Sequence, residues 1–467
     1  MSYILAYLFI LFDVFLFKNI IPSFGIWCIG YSIVIVALLK KNPLDPRFWL
    51  FLGVGILLIN GFSGILYVPT YIMPYKTVIY LMATILAFHL GFGKLHVLNG
   101  KLNRCKGKIL FKPFSVQSNK IHIFWGLIGI VGSSLICLEM FVIFGVSLDD
   151  GGERRMQFQE LFPLLRFTPI GTILLGGSFL SIFSIFCGGS KPNVILGLLN
   201  IITLVLASVA IAGKQGVLFV MLIFAYVYLF HRFYGIVIKV PGYVKIFICA
   251  SIGLFVMYLA FLTSGRQNVE SEGELLTTRG FDKKFVEMSQ TYVPAKIQNT
   301  FAEFFGYYGN QFPYVAERWE IEGFEEKYGY MRFPRFLGPF TFLERQVIKI
   351  FPFYREIYPD DRVETIENQS KGYFGNANWG TIIFLNIKYF GILGGLIAFF
   401  FVGKIARLLY NNFIRHPNYI TFQLNYINCA CMFYFTMFYF TQETAPFIYL
   451  LILICMGYYF KKNRVLL

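Results

Sequence analysis

Apolar runs recur along this chain at about 3–17, 21–39, 48–68, 73–92, 121–145, 167–187, 193–212, 216–232, 242–263, 376–403, 418–440 and 444–460. In a bilayer core there is no water to satisfy backbone N–H and C=O groups, so an uninterrupted apolar run of this kind crosses as an α-helix. Roughly 20 residues suffice to span the hydrocarbon. The first run is shorter and reads as a tilted or partly interfacial helix. Met1 to Phe17 has no basic n-region and no small-residue cleavage site, so it reads as a first span rather than a signal peptide. Charged residues make up 14% of the chain and mean hydropathy is +0.63. A soluble domain carries about a quarter charged residues. The expected fold class is an all-α polytopic membrane protein with about 12 transmembrane helices.

One stretch breaks the pattern. Residues Ser264 to Gly375 form a hydrophilic insert holding 14 Lys+Arg and 17 Asp+Glu. The chain thus divides into 1–263 (nine runs with short loops), the insert at 264–375, and 376–467 (three runs and a tail). Outside the insert stand 27 basic and 8 acidic residues, so the positive charge of the chain, net +16, lies there and not in the insert. In the short loops, 20 basic residues fall on one side of the alternating runs and six on the other, namely Lys18, Lys76, Arg154, Arg155, Arg166 and Lys214. Short basic loops stay cytoplasmic. Both termini are then expected inside and the insert outside. The cations serve topology, and no nucleic-acid partner is expected.

Several chemistries drop out on residue types. No Gly-rich loop precedes a Lys-Ser or Lys-Thr pair, so no ATPase is expected. His89, His96, His122, His231 and His416 all lie outside the insert, and none is paired at metal spacing. All eight cysteines lie outside it too, and all but Cys105 fall in apolar runs; neither disulfides nor a metal site is expected. Cys429-Ala-Cys431 has a metal-like spacing but reads as core packing of a spanning helix. Within the runs, the ionisable exceptions are Asp13, Glu139 and Lys388. Charges there cost about 2.5–3.5 kcal/mol on insertion scales and so face a partner or cavity. Asp13 and Glu139 read as interfacial or satisfied within the bundle.

The insert itself suggests two helices. Thr341-Phe-Leu-Glu344 has the form of a capping box, and Leu343, Val347, Ile350 and Phe351 share a face. Upstream, Pro294 suits a first helical position, with Ile297, Phe301, Phe304 and Tyr308 at helical spacing. These helices either roof the bundle from the membrane surface or pack on each other. Eleven arginines fall on the expected outer side. Guanidinium groups bind phosphate oxygens bidentately and stay charged, which suits a lipid-linked pyrophosphate. Lys214, Arg266, Arg279, Arg335 and Arg345 lie near span ends or on the second helix and are the candidate pyrophosphate ligands. With no histidine outside, proton transfer falls to a carboxylate. Glu303, off the apolar stripe and beside Phe304 and Phe305, is the first candidate base, and Glu443, in the turn Thr441-Gln-Glu-Thr-Ala, the second.

The span after the insert carries Gly375-Asn-Ala-Asn378-Trp-Gly-Thr381, then Tyr389-Phe-Gly391-Ile-Leu-Gly394-Gly and Gly403. Together with the architecture, this stretch resembles the bacterial O-antigen and capsule repeat-unit polymerases (Wzy-type), whose members show Asn and Thr at the outer end of this span and an acidic residue before Phe-Gly. Lys388 stands near that acidic position, a departure from the family. Ala212-Gly-Lys214-Gln-Gly216 is similar to a short turn that often carries arginine. The resemblance implies a GT-C-like membrane glycosyltransferase of lipopolysaccharide biosynthesis in the inner membrane. It would join undecaprenyl-pyrophosphate-linked oligosaccharides without a metal or other cofactor, with Asn378 at the substrate. Its implied partners are the lipid bilayer, a chain-length regulator and a flippase of the same pathway. The alternatives are an O-antigen ligase, which relies on an outer-loop histidine this chain lacks, and a polysaccharide flippase or transporter.

Overall fold

The computed structural model describes residues 31–38, 42–62, 75–93, 116–146, 164–186, 190–211, 215–234, 347–354, 382–416, 418–434 and 444–462, with Leu161, Gly242, Ala250, Gly253 and Trp319 as single positions. Every regular element among them is helical. In chain order they are α1 (Pro46–Phe62), α2 (Tyr75–Phe92), α3 (Val116–Cys137), α4 (Phe167–Leu174), α5 (Gly176–Ser184), α6 (Lys191–Ala210), α7 (Gln215–Tyr234), α8 (Ile382–Arg415), α9 (Tyr419–Phe433) and α10 (Thr444–Lys462). A π-helical turn, Leu138–Ile143, continues α3. Four segments are long and apolar enough to cross a membrane: Asn119–Ile143, Phe167–Ser184, Lys191–Ala210 and Tyr389–Arg415. The protein is an all-α membrane protein.

Local chemistry fixes the helix starts. Pro46 opens α1, where its missing N–H costs nothing, and the Asp45 carboxylate accepts from the Arg47 N–H at 2.9 Å. Asn418 and Thr421 open α9 reciprocally: the Asn418 side chain accepts from the Thr421 N–H at 2.9 Å, and the Thr421 hydroxyl oxygen accepts from the Asn418 N–H at 3.0 Å. Side chain and backbone thereby satisfy groups that the helix leaves unpaired.

The chain forms two compact units, each gathering segments from both sides of the insert. The first comprises Met1–Leu95, Ser271–Tyr410 and Asn428–Gln442; the second comprises His96–Glu270, Asn411–Ile427 and Glu443–Leu467. Within the first, α2 and α8 run the same way. The Tyr80 hydroxyl meets the Ile392 carbonyl, and the rings of Phe92 and Tyr410 lie 6.3 Å apart. The two backbones touch at Gly91 and Gly403, where any Cβ would collide with the partner's carbonyl of Phe400 or Phe88. Asn42 donates to the Tyr410 hydroxyl and Trp49 Nε1 to the Pro43 carbonyl, locking the turn before α1 into the core. Cys429 is buried there with its Sγ on the Leu44 carbonyl, a packing role.

In the second unit α3 packs against α4, α5 and α6 through Gly126, Gly129 and Gly132. Closely approaching backbones are how helices associate in lipid, where the hydrophobic effect offers little. Here α3 opposes α4 and α5 and parallels α6, the alternation that successive crossings require. Polar side chains bind across the helices: Asn200 donates to the Gly126 carbonyl at 3.0 Å, Tyr449 to Gln423 Oε1 at 2.6 Å, and Asn425 to the Tyr226 hydroxyl at 2.9 Å.

The structure corrects two readings of the sequence. Lys404, Arg407 and Arg415 are expected in a loop after residue 403, but α8 carries them on helix as far as Arg415. The run 376–403, expected as one continuous span, is broken at Gly391. Apolarity marks what can lie in lipid; it does not mark where a helix stops or changes direction.

Candidate functional site at the break in α8

Gly391 has φ 76° and ψ 176°, outside helical geometry and in a region that strains any residue with a Cβ. The peptides on either side of such a break lose their i→i−4 partners and need others. Just past the break α2 adds a tie of its own: the Tyr80 hydroxyl donates to the Ile392 carbonyl at 3.0 Å. Gly395, one turn on, makes room for this contact, since a Cβ there would meet both the Tyr80 hydroxyl and the Asn386 side chain. Asn386 and Tyr389, before the break, are buried.

Trp319 belongs to the insert. Its ring centroid lies 5.5 Å from that of Tyr80, the two planes inclined at 56°, and it is 5% exposed. The insert therefore reaches the residue that supports the broken helix. Of this first-unit cluster of Tyr80, Trp319, Asn386, Tyr389 and Gly391, the last three fall in the span after the insert that carries the resemblance. Sequence reading found Tyr389 and Gly391 as part of a motif. It missed Tyr80, Asn386 and Trp319, because an aromatic in an apolar run or a Trp among acidic residues carries no periodic signal.

The residues proposed from sequence as bases and ligands, Glu303, Glu443, Lys214, Arg266, Arg279, Arg335, Arg345 and Asn378, lie outside the described residues, as do Asp13 and the proposed helix from Pro294. Lys388 sits on the helical piece before Gly391. Of the proposed helix after Thr341, the described part is helical at 347–350 and leaves Ile350, Phe351 and Phe353 more than half-exposed or nearly so, at 69%, 50% and 56%.

Glu139, in the second unit, is a satisfied bundle contact. It is 2% exposed, and its carboxylate accepts from the backbone N–H groups of Arg166 at 2.6 Å, Phe167 at 3.0 Å and Thr168 at 2.5 Å. The next residue, Pro169, has no N–H. One carboxylate thus accounts for the opening turn of α4, with the helix dipole favouring its charge. The π-turn Leu138–Ile143 carries it.

No family model, no curated protein and no solved structure matches this chain. A functional reading rests on the residues themselves.

Proposed function

We propose that this protein is a polysaccharide polymerase of the bacterial inner membrane. In this reading it has about twelve spans in a GT-C-like arrangement, with both termini cytoplasmic and the insert outside. Its substrates are undecaprenyl-pyrophosphate-linked oligosaccharide repeats. The acceptor hydroxyl attacks the anomeric carbon of the growing chain, the bond from that carbon to the pyrophosphate oxygen breaks, and a carboxylate (Glu303, or Glu443) takes the hydroxyl proton. Lys214, Arg266, Arg279, Arg335 and Arg345 supply ligands for the charge building on the departing lipid pyrophosphate, with Asn378 at the saccharide. No metal is needed, because the guanidinium groups carry the compensating charge. A chain-length regulator and a flippase act alongside it.

The observation that supports this reading is the break at Gly391. It lies just after the insert, inside the motif that resembles the polymerases, and an insert residue packs on its support. A helix that restarts there offers unpaired N–H groups, which favour anionic ligands. The test is purified protein incubated with a defined lipid-linked repeat: the polymerase produces a ladder of multimers and free lipid pyrophosphate. A protein that leaves single repeats unchanged under conditions where it binds them refutes it.

The same break favours a second reading, a lipid-linked saccharide transporter, because broken helices form transporter sites. In sealed vesicles a transporter moves single repeats across the bilayer without making a ladder.

A further inference from the structure

We propose that the first unit carries a binding site for the phosphate headgroup of an anionic phospholipid, built on Lys404 and Arg407 of α8 beside the end of α2. The two residues are three apart, so they are neighbours on one helical face. Because α8 continues through them, they are held on a helix rather than in a loop.

Both cations are placed by contacts other than ion pairs. Arg407 Nη1 lies against Gly93, 2.7 Å from where a Cβ there would stand. Gly93 closes α2 with φ 64°, its N–H on the His89 carbonyl at 2.8 Å. The Lys404 ammonium lies 4.8 Å from the centroid of the Phe400 ring and 5.7 Å from that of Phe401. Among the described residues neither cation pairs with a carboxylate. Asp45 is held by Arg47 at 2.6 Å.

The surface around the two cations is apolar and open. Phe401, Ile405 and Leu408 on α8 are 53%, 57% and 67% exposed, and Leu90 on α2 is 65% exposed. Apolar area of this size at a membrane-crossing helix is what acyl chains cover. Acyl chains along Leu90 and Phe401 bring a lipid phosphate to the level of Lys404 and Arg407, with Ile405 and Leu408 flanking it. The charge complement selects an anionic lipid over a zwitterionic one, because each Lys or Arg near an anionic surface adds about fivefold in affinity.

The experiment follows phosphatidylglycerol binding to the purified full-length protein by native mass spectrometry, with phosphatidylcholine and inorganic phosphate as comparisons. Wild type is expected to retain phosphatidylglycerol preferentially. Lys404→Gln should weaken that binding about fivefold, and Lys404→Gln with Arg407→Gln about thirtyfold, with phosphatidylcholine binding unchanged. Arg232→Gln, at another exposed cation, should leave it unchanged. Lys404→Gln alone alters an exposed side chain and carries the test if the double variant does not fold. Wild-type phosphatidylglycerol binding by the Lys404→Gln variant overturns the proposal. So does equal loss of both lipids, which marks Arg407 as a structural counter-charge to α2. Displacement of the lipid by inorganic phosphate also overturns it, in favour of a free-phosphate site.

Discussion

The packing of α3 against α4–α6 in the second unit and the course of α8 in the first resolve one physical problem in opposite ways. Backbone polar groups inside a membrane must all be paired. In the second unit the helices bring their backbones together at glycines, while the start of α4 is closed by the Glu139 carboxylate, carried on the π-turn after α3. In the first unit α8 abandons helical geometry at Gly391, and the carbonyl just past the break accepts a hydrogen bond from Tyr80 of another helix. The first arrangement holds helices in place; the second creates an irregular backbone position within the part of the chain that follows the insert. Irregular backbone in a membrane protein persists where it is enclosed by protein or lines a cavity. The break is therefore the better place to look for substrate.

Substitutions can test that contrast. The largest effect is expected at Glu139→Ala, which leaves three N–H groups at the start of α4, that of Thr168 buried, without their charged acceptor at about 1–3 kcal/mol each. Thermal unfolding in detergent should show a loss of at least about 3 kcal/mol, with Glu139→Gln intermediate because it retains one carbonyl acceptor. A wild-type unfolding midpoint for Glu139→Ala would mean that the cap does not hold the second unit together.

Gly391→Ala should cost less stability, about 1–3 kcal/mol for forcing a Cβ into extended backbone at positive φ, yet abolish polymer in the ladder assay. A variant with full ladders and normal stability would remove the break from the function. Tyr80→Phe deletes only the hydroxyl that serves the Ile392 carbonyl. It should destabilise by about 1 kcal/mol and slow polymerisation without abolishing it, measured as the rate of ladder growth. The smallest effect is expected at Gln423→Leu, which removes one partner of Tyr449. Interhelical hydrogen bonds in membranes average about 0.6 kcal/mol, so the midpoint should move slightly and ladder formation not at all.

Much of the helical body could be read from the sequence. The runs at 121–145, 167–187 and 193–212 reappear as α3 with its π-turn, α4 with α5, and α6, because hydrophobic length alone decides what can lie in lipid. Glu139 could be recognised as an exception within its run, and Cys429 as packing. The partners of Glu139 could not, since the N–H groups it binds are 27 to 29 residues away in sequence. Trp319 was illegible for the same reason: its meaning lies in a ring on α2.

The sequence by itself determined that this chain is helical and lies in a membrane, because the energetic penalty for polar backbone in hydrocarbon acts on each segment separately. Only the tertiary structure decided where α8 breaks, that α8 runs on to Arg415, and which side chains meet the irregular positions. Those outcomes depend on pairs such as Tyr80 with Ile392 and Phe92 with Tyr410, hundreds of residues apart, and a hydropathy pattern has no term for contacts of that kind.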